Sequence, residues 1–146
     1  MAGYAWPYPV AFYFNVKIGS MNVLKFSEVE GLEMSLQTEK EEEGGSQGYE
    51  FVKGVVHGDV TCTRLVTNSE NDDLNAWLNQ HFIGVTEVHP LPITISLLDA
   101  DGNPTCAWFL TRAYPKKWTV EPFSSMKNEL AKEKIVFAYH DIRRVM

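Results

Sequence analysis

The 146-residue chain is poor in cysteine, poor in basic residues and without a long apolar run. Two cysteines are too few for a disulfide scaffold, so a reduced cytoplasmic setting fits the composition best. Thirteen basic residues against nineteen acidic ones give a net charge of −6, which argues against the basic surface of a nucleic-acid-binding protein. No apolar run approaches the ~20 residues that span a bilayer, and the first ten residues lack the basic start of a signal peptide.

Signatures of catalysis and metal binding are also missing. The four histidines are scattered, there is no G-x-S-x-G, and Cys62 and Cys106 form no C-x-x-C pair. We therefore interpret the histidines as surface or packing residues and the cysteines as small core residues. Residues 99–103 resemble the opening of a calcium loop, but Pro104 and Leu110 stand where an EF-hand needs its glycine and glutamate. We expect no catalytic residue, no cofactor and no metal.

Alternation of apolar and polar residues is the main signal that the chain does contain. Phe12, Phe14, Val16 and Ile18 alternate with polar neighbours, which is typical of a half-buried strand. Similar alternation returns through most of the second half, where residues 99–104 predict the turn of a hairpin. The length and the lack of a linker or repeat predict a single domain over residues 1–146, with residues 1–9 as an N-terminal arm.

Two segments depart from this pattern. One helix is predicted at about residues 70–81, since Ser69 offers an N-cap and apolar residues recur at spacings of three and four. These apolar residues are Leu74, Trp77, Leu78 and Phe82. Four glutamates around Lys40, followed by glycines, predict a long mobile acidic loop at about residues 38–50, because such a composition buries little apolar surface.

Several short motifs occur in a recognisable order. An opening strand at residues 9–18 precedes a Phe-Ser-Glu-Val run at residues 26–29 and the pair Gly31-Leu32. The acidic stretch follows, and a proline-x-lysine-tryptophan ends the late segment at residues 115–118. In this order the chain resembles the tail-tube (inner-tube) protein family of contractile injection systems and contractile phage tails. The resemblance spans about residues 8–143.

The resemblance implies a mainly β, β-barrel-like or sandwich-like fold with one helix. It also implies homo-hexameric rings that stack into a hollow tube inside a contractile sheath, with Thr61 and Thr63 or Lys132 and Lys134 as candidates to line the lumen. The implied partners are further copies of the chain, the sheath protein, baseplate or tube-initiator proteins, and terminator proteins, with protein as the cargo. Such a chain is structural and not an enzyme, and it recognises no specific nucleic acid.

The candidate site residues of such a subunit are contact residues. We interpret the acidic loop as an inter-subunit or ring-stacking element that orders on a neighbour through basic partners, the alternative being a solvated loop. The loop residues are Glu39, Glu41, Glu42, Glu43, Gly44 and Gly45, and the basic partners are Lys116 and Lys117. Tyr4, Trp6 and Tyr8 lie among prolines and form an aromatic arm, which contacts a neighbour or caps its own barrel.

Other functions compete with an injection-particle tube. A phage tail tube that passes DNA and a minor paralogue at the tube end belong to the same family, and a monomeric β-sandwich binding module shares the strand signals. The lack of strong nucleic-acid features favours the injection particle. For that function we expect assembly in the bacterial cytoplasm, as part of a phage tail-like particle that is released extracellularly or anchored to the envelope.

Overall fold

The computed structural model describes residues 13–41, 49–66, 72–84, 87–121 and 131–146. The elements found in these ranges are β1 (Tyr13–Ile18), β2 (Leu24–Phe26), β3 (Glu28–Glu30), β4 (Ser35–Glu41), β5 (Tyr49–Val56), β6 (Val60–Leu65), α1 (Asp72–Phe82), β7 (Leu91–Leu98), β8 (Pro104–Val120), β9 (Lys132–Ala138) and β10 (Asp141–Arg144). The prediction of a mainly β fold with one helix is confirmed for the described part of the chain.

The long strand β8 joins two antiparallel sheets. Its first half pairs with β7 on one side and with β10 on the other, and β7 continues to β1 and β2. Its second half, residues 114–120, pairs with β9, which continues to β6 and β3. We call this second group, made of β3, β6, β9 and residues 114–120, the four-strand sheet.

The two sheets also meet at a corner between β2 and β3. Ser27 sits at this corner, where its amide and its hydroxyl both donate to the Thr63 carbonyl oxygen, at 2.9 and 3.1 Å. The corner carries the chain from the first sheet to the four-strand sheet without a hydrogen-bonded ladder between β2 and β3. Among the described residues the sheets therefore do not close into a barrel, and the barrel-like element of the prediction is corrected to two joined sheets around one core.

Within the described ranges, one hydrophobic core receives side chains from both sheets and from α1. Its largest fully buried side chains are Phe26, Phe137, Ile18, Leu74, Ile93, Ile95, Leu110 and Ile135. The helix contributes Leu74, Trp77 and Leu78 as its spacing predicts, and the Trp77 indole stacks 6.0 Å from the Phe137 ring. Phe82 was expected in the same stripe, but it lies on the last turn and is 42% exposed.

Both cysteines are buried and free, so their interpretation as small core residues is confirmed. Complete burial raises the pKa of the Cys62 thiol to about 12, because the thiolate would lose its hydration. A thiol in this state is a packing group and not a nucleophile. The hairpin expected at residues 99–104 is also present between β7 and β8, where the Asp99 carboxylate accepts hydrogen bonds from the amides of Asp101 and Asn103.

The predicted acidic loop at residues 38–50 is wrong at both of its ends. Residues 38–41 belong to β4 and residues 49–50 to β5, and these two strands pair with each other as a separate two-stranded sheet. The run of like charge is tolerated because cross-strand partners offset it. Lys53 Nζ lies 3.2 Å from a Glu39 carboxylate oxygen, and the Thr38 hydroxyl donates to Glu50 at 2.6 Å. Residues 42–48 lie outside the described residues.

Candidate assembly surfaces

The four-strand sheet ends in two open edges. β3 is its outer strand on one side and pairs only with β6, while residues 114–120 form the other side and pair only with β9. Within the described ranges no further strand pairs with the outer edge of β3 or with that of residues 114–120. Such edges present unpaired backbone amides and carbonyls, which readily accept a strand from another chain.

One face of the four-strand sheet points away from the core. Strand alternation puts Val29, Cys62 and Ile135 toward the core and their sequence neighbours on the outward face. One row across this face joins Glu28, Thr63, Lys134 and Thr119, and the next row joins Glu30, Thr61, Val136 and Lys117. The outward face is therefore polar, and Thr63 on it is only 3% exposed in the single chain.

The charges on this outward face are separated between the two edges. Glu28 and Glu30 on the β3 edge are exposed carboxylates, and Lys117 near the other edge is an exposed ammonium group. Lys134 lies between them and pairs with Glu121 at 2.9 Å. This hydrogen bond raises the pKa of Lys134 and lowers that of Glu121, so both are charged at neutral pH. An acidic edge and a basic edge on one sheet are complementary to each other between two copies.

A tryptophan is held in place at the basic edge. Trp118 is 47% exposed, yet its indole N–H donates to a Glu133 carboxylate oxygen at 3.2 Å. The other Glu133 oxygen pairs with Arg64, whose guanidinium lies 5.4 Å from the centre of the Phe26 ring. Because Glu133 and Arg64 are mostly buried, they hold the indole at its N–H in one orientation. The rest of the Trp118 side chain remains exposed to solvent. A large, oriented and partly exposed aromatic side chain is typical of an interface anchor.

The β4–β5 hairpin is the second exposed surface. Leu36, Val52 and Val55 are each about three-fifths exposed on it. The two strands pack on each other and on little else among the described elements. An isolated two-stranded hairpin is marginally stable in water, so exposed apolar side chains on such a hairpin indicate a surface that becomes covered in an assembly.

The predicted contact residues are distributed over these surfaces. Glu39 is exposed on β4 and pairs with Lys53, and Glu41 is the last residue of β4. Lys116 pairs with Asp59 at 2.9 Å, and this hydrogen bond raises the pKa of Lys116. Within one chain, Glu39 and Lys116 thus have other partners than each other. Predicted residues outside the described ranges are Tyr4, Trp6, Tyr8, Glu42, Glu43, Gly44 and Gly45.

Sequence reasoning missed the contacts of His57. This side chain follows β5 directly, stacks on the Tyr139 ring at 4.1 Å and points Nε2 at the His140 carbonyl oxygen, 2.7 Å away. The partners come from the other end of the chain, so no local pattern could have found them. Trp118 and Glu133 were missed for the same reason, since only the pairing of β8 with β9 brings them together.

In the described part of the chain, no three histidine, cysteine or acidic side chains are placed to hold a metal ion together. No helix within the described ranges has the length and apolar character needed to cross a membrane.

Comparison with known proteins gives a family. Residues 10–143 match the family described as T4-like virus tail tube protein gp19. No curated protein matches the chain. The family match covers most of the chain and includes both open edges and the β4–β5 hairpin.

Solved structures show the same fold at low sequence identity. A chain of the sheath/tube terminator of an extracellular contractile injection system, PVC, in its extended state has 23% identity and a TM-score of 0.82, covering 99% of this chain and 100% of that chain. A chain of the PVC sheath-tube complex has 24% identity and a TM-score of 0.80, covering 95% and 91%. A chain of the anti-feeding prophage baseplate has 21% identity and a TM-score of 0.76, covering 99% and 97%.

Proposed function

Because the chain belongs to the T4-like virus tail tube protein gp19 family, we propose that it is a subunit of the inner tube of a contractile injection particle. The observation that carries this proposal is the four-strand sheet with two open edges, one acidic and one basic. A monomeric protein would have to protect these edges, whereas a closed ring of identical subunits pairs every edge with the next copy.

In the proposed ring, the β3 edge of one copy joins the β8 edge of the next. The ring is hexameric, and the six four-strand sheets form one continuous inner wall. Glu28 and Glu30 of one subunit then approach Lys117 of its neighbour, which favours one direction around the ring. Trp118, already held by Glu133, becomes buried at the joint. The polar outward face of the sheet lines the lumen, with Lys132 and Lys134 among its residues.

Stacking of the rings involves the β4–β5 hairpin and the acidic residues that follow β4. The apolar side chains Leu36, Val52 and Val55 favour a covered position between rings over an exposed one. The acidic group from Glu39 to Glu43, with Gly44 and Gly45, meets Lys116 and Lys117 of an adjacent subunit or ring. The aromatic arm with Tyr4, Trp6 and Tyr8 contacts a neighbour or caps its own subunit.

The tube acts mechanically in this proposal. It serves as the template on which the sheath assembles, and contraction of the sheath drives it through a target envelope with protein as its cargo. Its other partners are the baseplate or tube initiator at one end and the terminator at the other, in line with the particles in which the similar solved chains are found. The particle assembles in the bacterial cytoplasm and is released extracellularly or anchored to the envelope.

A phage tail tube that passes DNA is the second candidate, because the matching family is described as a virus tail tube. The similar solved chains from an extracellular contractile injection system favour the first candidate. A minor paralogue at the tube end is a variant of either. Genes for a capsid and a packaging terminase beside this one would support the phage, and sheath and baseplate genes without a capsid would support the injection particle.

Negative-stain electron microscopy of the purified chain tests the proposal. The chain is expressed alone and together with the sheath and baseplate proteins encoded beside it, because some tubes need an initiator. We expect six-fold rings or hollow tubes that grow with concentration or with the initiator. Uniform monomers in both samples would contradict a tube and would support a monomeric binding module.

A further inference from the structure

His57 lies at the root of the β4–β5 hairpin with both ring nitrogens against carbonyl oxygens. Nδ1 is 2.9 Å from the Gly58 oxygen, and Nε2 is 2.7 Å from the His140 oxygen. A neutral imidazole has one N–H and one lone pair, so it can donate to only one of these oxygens. The imidazolium has two N–H groups and is the only form that satisfies both.

The two ends of this contact belong to different parts of the molecule. His57 directly follows β5 and is therefore attached to the hairpin, whereas the His140 carbonyl belongs to the turn between β9 and β10. That turn is fixed to β8, since the His140 amide donates to the Thr111 carbonyl at 2.8 Å and the Asp141 amide donates to the Thr111 hydroxyl at 3.1 Å. The Tyr139 ring, stacked parallel to the imidazole at 4.1 Å, sets the plane of the contact.

Few other contacts orient the hairpin. Its strands pack on each other and on little else among the described elements. On the β4 side of the root, Gly31 comes so close to the Asp59 carbonyl that a Cβ atom would lie 2.3 Å from the oxygen. On the β5 side, Asp59 pairs with Lys116 on β8. These contacts position the root, and the His57 contact adds a bridge that is complete only when both imidazole nitrogens carry a proton.

Charged and titratable groups surround the His57 ring. The carboxylates of Asp59 before β6 and Asp141 on β10 act on it directly, Tyr139 after β9 stacks on it, and the His140 side chain and Arg143 on β10 line the same cleft. Glu33 before β4 acts on Tyr139, and Lys116 on β8 pairs with Asp59. Burial lowers the pKa of His57, but the two carbonyl hydrogen bonds and the carboxylates of Asp141 and Asp59 outweigh it and raise the pKa above its ordinary value. Burial also raises the pKa of Tyr139, which keeps the stacked phenol neutral.

We propose that His57 is a proton-operated latch that sets the orientation of the β4–β5 hairpin. When it is protonated, it bridges the hairpin root to the β9–β10 turn through the Gly58 and His140 carbonyls. When it loses the proton, a lone pair faces one of the two oxygens, that hydrogen bond is lost, and the hairpin is held less tightly. His57 and His140 line a cleft of about 440 Å³ whose walls also include Met34, Val55 and Ile142.

The direction of the pH dependence follows from the direction in which folding changes the pKa of His57. Since the folded state raises the pKa of His57, the latch contributes stability that is fully present below the unfolded pKa and is lost as the pH rises through the folded pKa. Raising the pH through the titration of His57 should therefore loosen the hairpin before the core responds. The latch lies within one chain, so it does not depend on tube formation.

The test uses the full-length chain as a monomer, with nitrogen-15-labelled histidine. The His57→Phe variant keeps an aromatic ring against Tyr139 but has no N–H, and it assigns the His57 signals. The His140→Gln variant is the matched control, because it removes the neighbouring exposed imidazole and leaves the His140 carbonyl in place. Hydrogen exchange of the β4 and β5 amides, corrected for the intrinsic pH dependence of amide exchange, measures how firmly the hairpin is held.

We expect His57 to titrate at a higher pH than an exposed histidine, with both ring nitrogens protonated below that titration. Exchange in the hairpin should accelerate severalfold as the pH rises through the titration of His57 in the wild type and in His140→Gln, while His57→Phe should exchange fast throughout. The latch is contradicted if His57 titrates no higher than an exposed histidine, or if His57→Phe and wild type exchange alike. If His57→Phe does not fold, the wild-type titration alone decides.

Discussion

The four-strand sheet and the β4–β5 hairpin are both antiparallel and both carry charged side chains, but they are supported in different ways. One face of the sheet lies on the hydrophobic core, where Cys62, Ile135 and Phe137 are fully buried. The hairpin has no such support among the described elements and leaves Leu36 and Val52 exposed. A surface that folding buries and a surface that folding leaves exposed can therefore be told apart within one chain.

This difference in packing support predicts which substitutions act on folding and which act on assembly. Changes on the core side of the sheet should lower the free energy of unfolding of the isolated subunit and reduce assembly only as a consequence. Changes on the hairpin or at the open edges should leave the subunit folded and act on assembly alone. The predictions below are ordered by their expected effect on the free energy of unfolding of the isolated subunit, from the largest to the smallest.

Truncating a core side chain of the sheet should have the largest effect. Phe137→Ala should lower the free energy of unfolding by about 3–5 kcal/mol, because it removes a fully buried ring and leaves a cavity beside Trp77. Val52→Ala on the hairpin, where the side chain is 58% exposed, should change it by less than about 0.5 kcal/mol. Urea unfolding of the two subunits measures both values. Equal losses would show that the hairpin is part of the folding unit.

Two glycines test the same distinction between folding and assembly through backbone conformation. Gly31 has a φ of +94° and faces the Asp59 carbonyl, so Gly31→Ala should cost more than about 2 kcal/mol through strain and a clash with backbone. Gly54 on β5 has no atom near the position of a Cβ, so Gly54→Ala should be neutral within about 0.5 kcal/mol. Thermal unfolding followed by circular dichroism measures the difference. A tolerated Gly31→Ala would mean that the hairpin root can shift away from Asp59.

Removing the charge of Glu133 should have an intermediate effect on stability. Glu133→Gln leaves the mostly buried Arg64 without its ion pair and should lower the free energy of unfolding by about 1–3 kcal/mol. The hydrogen bond to the Trp118 indole should also weaken, which tryptophan fluorescence of the folded variant would detect. Glu121→Gln is the control, since its exposed pair with Lys134 contributes little. Similar losses in both variants would contradict a special position for Glu133.

Reversing charges at the open edges should leave stability almost unchanged and act on assembly. Glu28→Lys with Glu30→Lys should abolish rings or tubes, because basic edges would then face each other between subunits. Adding Lys117→Glu should restore assembly in part, since the charges are exchanged and not removed. Electron microscopy counts the assembled particles, and unchanged melting of each variant is the control. Normal tubes from the reversed double variant would show that these edges do not meet, without contradicting a tube.

Local sequence patterns predicted the elements that depend on near neighbours. The alternation before Ile18, the helical spacing around Trp77 and the turn after Asp99 all correspond to observed elements. The burial of both cysteines followed from the same alternation. Each of these features is determined by residues within a few positions of one another, so the periodicity of the sequence is sufficient to find them.

Features that depend on distant pairing could not be predicted. The acidic residues around Glu39 were interpreted as a loop because net charge was considered without the partners that β5 supplies across the hairpin. The pair of Arg64 with Glu133 requires the register of β6 on β9, and the His57 latch requires the turn after β9. Register between strands far apart in sequence depends on the packed core, and the local pattern does not contain it.

Cryo-electron microscopy of tubes assembled from the full chain tests the central claim most directly. The account predicts rings in which the β3 edge of each subunit pairs with residues 114–120 of the next, with Glu28 and Glu30 near Lys117 of the neighbour and the β4–β5 hairpin between rings. Tubes in which both edges of the four-strand sheet remain open, with the subunits held together by other surfaces, would contradict it.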